Sequence, residues 1–164
     1  MTAWTKPSPP GSRRSDAALA QTMATVEMTF TPLPAHVRTA RLVATAVARR
    51  SGVPEALLDE VRLAVGEACS RAVEVHQEHC PAEPVRVALT GAGGRFEVVV
   101  TNTAVGDGGM AWPPQPATDG QDPAALPAEL GLAVIAGLAD DVQVSRNGDG
   151  LSIRMSWPSG APAG

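Results

Sequence analysis

In the segment LDEVRLAVGEACSRAVEVH, residues 58–76, Glu67 and Arg71 stand four residues apart. On a helix that spacing puts them one turn apart on the same face. A carboxylate so placed can take the proton of an attacking hydroxyl. Its neighbour is chemically unlike a metal ligand: a guanidinium offers donors only and keeps its charge, so it repels a cation and is suited to pair with Glu67. The two also read as an ordinary i,i+4 ion pair on a solvated helix face, which requires no chemistry at all. Further along, Asn102 closes an apolar run and is followed by Ala104 and Gly106, while Glu129, Gly131 and Leu132 open another. A glycine at the start of a helix lets backbone amides approach an anion. Glu129 sets a carboxylate in that same first turn, where it complements the helix dipole. His76, His79 and Cys80 cluster at the end of the long segment and two of them can share a face toward zinc, but no fourth ligand is evident.

The elements that must position these residues follow from apolar spacing. Residues 1–22 mix Pro, Ser, Gly and charge without periodicity, which predicts a disordered tail, and Met23 opens the first patterned segment as an alternative start. Val26, Met28 and Phe30 alternate as a strand. From Ala35 to Arg50, Val37, Ala40, Val43, Ala44 and Val47 recur at helical spacing, with Arg38, Arg41, Thr45 and Arg49 opposite. Gly52 stops that helix and Pro54 opens the next, which runs to about residue 77 with Leu57, Val61, Ala64, Val65, Ala68 and Ala72 inward.

Val85, Val87 and Leu89, then Phe96, Val98 and Val100, form two alternating runs joined by Gly91, Gly93 and Gly94, a hairpin pattern. Residues 103–127 are rich in Gly and Pro and read as one long loop, stiffened at Pro113-Pro114-Gln115-Pro116. A short helix from about Ala128 to Ala139 follows. The chain then closes on a second hairpin, Val142 and Val144 before the turn Asn147-Gly148-Asp149-Gly150, and Leu151, Ile153, Met155 and Trp157 after it. This order predicts an α+β fold, a two-layer sandwich of a mostly antiparallel sheet with helices on one face. It divides the chain into a tail at 1–22, a domain at 23–158 and a flexible end at 159–164.

Composition narrows the function. At 164 residues with 44% hydrophobic and 18% charged, the chain suits one globular domain able to bury about two thirds of its unfolded surface. The net charge of −4 supplies no basic field for a phosphate backbone, so direct nucleic-acid binding is not expected. No apolar run has membrane-spanning length and no secretory signal is evident, which predicts a cytoplasmic protein with no membrane contact. Cys69 and Cys80, eleven helical residues apart, would be held about 16 Å from one another, too far for a disulfide.

Taken in order, these segments carry a resemblance. Glu67-Ala68-Cys69-Ser70-Arg71-Ala72 is similar to the E-A-x-x-N-A phrase of GHKL kinases, in which the Glu is followed four residues later by a magnesium-holding Asn. Val100-Thr101-Asn102-Thr103-Ala104-Val105-Gly106 is similar to the D-x-G-x-G box whose Asp recognises adenine. Glu129-Leu130-Gly131-Leu132 is similar to the G-x-G-L box that takes phosphate charge, and Gly150-Leu151 stands where the family has Gly-Thr. With the spacing of all four kept over about residues 26–157, the chain resembles the anti-sigma-factor and serine-protein kinase branch of the GHKL (HATPase) ATP-binding fold.

The resemblance implies a nucleotide pocket at Glu67, Arg71, Asn102, Ala104, Gly106, Glu129, Gly131 and Leu132, in which Arg71, Asn102, Ala104, Glu129 and Leu151 depart from the family pattern. ATP and Mg binding is therefore expected to be weak or lost, with no metal bound. It further implies a regulator that binds a sigma factor, a STAS-domain anti-anti-sigma factor, or both. Arg38 and Arg41 of the first helix, in the phrase Ala40-Arg41-Leu42, would make the partner contacts. The alternative is an active ATP-dependent serine/threonine kinase with Glu67 as its base. Homodimerisation is left open.

Overall fold

The computed structural model describes residues 24–103, 128–147 and 150–160. Five strands and three helices follow one another as β1 (Ala24–Phe30), α1 (Pro34–Arg50), α2 (Leu58–His79), β2 (Val85–Ala92), β3 (Arg95–Asn102), α3 (Ala128–Leu138), β4 (Asp141–Asn147) and β5 (Gly150–Pro158). All neighbours in the sheet are antiparallel, in the order β1-β2-β3-β5-β4. The two hairpins predicted from alternation are thus joined edge to edge by β3 and β5.

Register explains the core. Val87 pairs with Val100, Leu89 with Val98, and Phe96 with Trp157, so each apolar set falls on the side where the helices lie. On that side Val85, Leu89, Phe96, Val98, Met155 and Trp157 are buried, meeting Val61, Val65, Ala68 and Ile135 from the helices. Phe96 and Trp157 set their rings 6.2 Å apart, and the indole N–H of Trp157 donates to the Leu138 carbonyl at 2.9 Å. That bond fastens the last turn of α3 to the sheet. The opposite face is polar: Arg154 reaches Glu97 at 3.6 Å, and the hydroxyls of Thr25 and Thr90 are 3.1 Å apart.

Local chemistry sets the helix ends. Pro34 starts α1, where its missing N–H costs nothing, and Arg49 and Arg50 favour the negative end. Gly52 then takes a left-handed φ of 83° while Gly52 and Val53 donate to the carbonyls of Arg49 and Ala48, closing the helix. The second helix begins later than the spacing predicts. Pro54 is extended and starts a single tight turn, Glu55–Leu57, and α2 proper opens at Leu58.

Gly93 and Gly94, at φ 58° and 76°, supply the two left-handed residues of the β2–β3 turn. Past β5, Ser159 donates to Gly94 and Gly160 to Gly52, each at 2.8 Å, so backbone bonding continues two residues beyond the expected domain end. The long loop predicted at 103–127, including the Pro113–Pro116 segment, lies outside the described residues except for Thr103, as do the tail at 1–22, Gly148 and Asp149.

Candidate functional site

Helix α2 is the axis of the candidate site, since its two long flanks face different neighbours. One flank carries Gly66, Ser70 and Val73 against α1, and the other carries Glu67 and Arg71 toward α3. The Nε–H of Arg71 donates to Glu67 Oε1 at 2.9 Å, with side chains only 13% and 27% exposed. The predicted same-face pair is therefore formed, and it is sheltered rather than solvated. The guanidinium also lies directly against Gly131 in the first turn of α3: a methyl group built there would overlap Nε, Cζ and Nη2 of Arg71. Gly131 is buried, and Leu132 next to it is half-buried.

Asn102 ends β3 on the helix-facing side of the sheet, two residues beyond buried Val100, and pairs in register with Leu151 of β5. Two strands converge tightly here. A methyl group on Gly150 would overlap the Asn102 carbonyl oxygen and lie 3.2 Å from the Thr103 Cα. Among the described residues the buried Thr103 hydroxyl has no hydrogen-bond partner. Neither Gly150 as a packing requirement nor Thr103 as an orphaned hydroxyl was evident from the sequence; the readable signal was only a glycine opening an alternating run. Ala104 and Gly106 lie outside the described residues, as does the Glu129 side chain.

Arg38 and Arg41 are brought together in a separate place. They line one side of a groove of about 240 Å³ between α1 and α2, over Val37 and Val73, with Ser70, Glu74 and Gln77 opposite. Arg41 folds over the bare backbone of Gly66. Beneath it, Cys69 is buried; burial pushes its thiol up to about 12, a rise that the positive charge of Arg41 partly offsets. Among the described residues neither Arg38 nor Arg41 has a carboxylate within ion-pair distance, in contrast to Arg49, which holds Glu55 at 3.1 Å.

The zinc reading at the end of α2 does not survive. His76 is fully buried, its Nδ1–H donates to the Glu83 carbonyl at 2.8 Å, and among the described residues no group of His, Cys, Asp and Glu is placed to hold a metal. Both cysteines are free thiols. Among the described residues no helix is long and apolar enough to cross a membrane.

A five-stranded antiparallel sheet covered on one face by helices, with Glu67 and Arg71 midway along α2, Asn102 at the end of β3 and Gly131 in the first turn of α3, is the frame of an ATPase-like domain. The model of the histidine kinase-like ATPase domain family matches residues 30–157, and the chain belongs to that family. Its fold is similar to the crystal structure of the RsbU and RsbW domains of Rv1364c from Mycobacterium tuberculosis, with a TM-score of 0.60 at 18% identity. The match covers 85% of this chain and 33% of that one, so this chain spans about a third of the length of its structural neighbour. No curated protein matches the chain in sequence.

Proposed function

We propose that the protein is a cytoplasmic partner-switching regulator of the anti-sigma type, which acts by binding and holds Mg-ATP weakly or not at all. The observation that carries this reading is the position of Arg71. In the family the residue four after the Glu is an amide that ligates magnesium, a hard cation that needs oxygen donors. Here a guanidinium fills the space between Glu67 and Gly131, brings its own positive charge and has no lone pair to offer. The residues do not suit the metal, and no catalytic step is derived through it. Leu151 beside Asn102 supports the same reading, because an aliphatic chain stands where a threonine hydroxyl would meet adenine.

The partners proposed are a sigma factor and a STAS-domain anti-anti-sigma factor, contacted through Arg38 and Arg41. A planar guanidinium on an apolar groove suits a protein surface, since it pairs with carboxylates while its stem packs. Capture of native partners by the immobilised full chain, repeated with and without ATP, tests this. Recovery of either partner class without nucleotide is the expected result. Recovery that requires ATP favours the active kinase with Glu67 as base.

A further inference from the structure

We propose that Gly66 is a positioning residue for the partner surface: bearing no side chain, it seats Arg41 against α2 and so makes Arg41, rather than Arg38, the directional contact. The inference rests on the reading of the α1 face given above and adds to it the residue that prepares the contact.

Gly66 is the only glycine in the 22 residues of α2, and it is buried midway along the helix. A glycine in that place ordinarily destabilises a helix relative to alanine, so it calls for a reason. Close approach of a neighbouring backbone is the usual one. Here the space is taken by a side chain instead: the three heavy atoms nearest to a methyl group built on Gly66 are Nε, Cζ and Nη2 of Arg41, with no backbone atom of α1 among them. The guanidinium itself fills the site. Its charge is felt at the next residue but two, where it partly offsets the effect of burial on the Cys69 thiol.

The two arginines of the groove are therefore unlike. Both are exposed and both line it, but among the described glycines none is crowded by Arg38. An exposed arginine samples many rotamers and gives up that freedom when a partner fixes it. Arg41 has given up part of it already, on folding. It is held at the groove wall with Ser70, which stands one turn beyond Gly66 on the same face of α2, and with Val37 and Val73. A planar fork held in one place selects a carboxylate by direction, whereas a free cation attracts negative charge from any side. Lysine can thus replace Arg38 but not Arg41.

Relaxation of ¹⁵N at the arginine Nε positions of the free full chain, assigned with Arg38→Lys and Arg41→Lys, reads the seat. Arg41 should be ordered, with an order parameter near the rigid value of about 0.85, and Arg38 mobile, below about 0.6. Gly66→Ala should lower Arg41 to the level of Arg38 while the melting temperature holds or rises, because the displaced group is the end of a flexible side chain and alanine favours the helix. A glycine needed only for packing would do the reverse. Titration with N-acetyl-glutamate, a carboxylate probe that requires no identified partner, should shift the Arg41 signal, and Gly66→Ala should weaken that response by about three- to tenfold, the effect of having to immobilise one long side chain. Arg38→Lys should leave it within about twofold. Arg41 mobile in the unmodified chain, Arg41 still ordered in Gly66→Ala, or a probe response indifferent to Gly66→Ala would each overturn the proposal. Failure to capture a sigma or STAS partner would instead contradict the function proposed above, with the seat still decided by these three readouts.

Discussion

The guanidinium of Arg71 lies against the backbone of Gly131, so close that one added methyl at that glycine would displace it, while its Nε–H holds Glu67 at 2.9 Å. One side chain thus ties the middle of α2 to the first turn of α3. A glycine inside a helix ordinarily costs about 0.5–1 kcal/mol relative to alanine, so its presence here answers to Arg71.

That relationship predicts a reversal of sign. In the native background Gly131→Ala should expel Arg71 from its place and destabilise the domain by about 1–2 kcal/mol, the worth of a sheltered charged hydrogen bond. In an Arg71→Ala background the same substitution should stabilise by about 0.5–1 kcal/mol through helix propensity alone. Urea unfolding of the four proteins measures the cycle. Additive changes would mean that the two residues are not coupled.

Alkaline pH should reveal Cys69. Burial holds its proton up to about 12, above the ordinary value of 9.0, so the folded state binds that proton more tightly than the unfolded chain. Its contribution is complete below pH 9 and is lost between pH 9 and 12, at up to about 1.4 kcal/mol per pH unit. No tyrosine titrates in this window and Lys6 is the single lysine, but the Cys80 thiol, pushed up by partial burial and by Glu83, does, so the comparison is made on a Cys80→Ser background. Denaturation followed from pH 8 upward should show a steep loss of stability that Cys69→Ala largely flattens. An equal slope in the variant would contradict the assignment.

Gly150 should resist any side chain. The atom that an alanine methyl would meet there is the backbone oxygen of Asn102, which cannot rotate away as the end of an arginine can. Gly150→Ala is expected to cost about 2–3 kcal/mol, more than Gly131→Ala, by forcing β3 and β5 apart. Thermal unfolding compares the two directly.

The sheet was legible in the sequence because its alternation is strict: the inward positions of β2, β3 and β5 hold apolar residues almost without exception, and Gly93 with Gly94 marks the turn that joins β2 to β3. The candidate site was legible in part. Spacing alone gave the Glu67–Arg71 pair, because four residues on a helix is a local fact. Spacing could not give the contact of Arg71 with Gly131 or of Arg41 with Gly66, since both depend on how α2 packs against its neighbours. The start of α2 was misplaced because Pro54 serves equally well to open a tight turn or a helix.

Arg41 separates binding from folding. It is exposed, so Arg41→Glu should leave the melting temperature within a few degrees while weakening a captured sigma or STAS partner by about 2 kcal/mol or more, through like charges across the interface. Loss of partner with an intact fold is expected. Unchanged affinity would remove α1 from the partner surface.

The central claim is that Arg71 stands in place of the magnesium–nucleotide centre, and calorimetric titration of the full chain with Mg-ATP tests it most directly. We expect no saturable binding in the micromolar range, and none gained by Arg71→Asn alone, because Asn102, Glu129 and Leu151 remain. Magnesium-dependent ATP binding at micromolar affinity by the unmodified chain, with transfer of labelled phosphate to a STAS-domain protein, would contradict it.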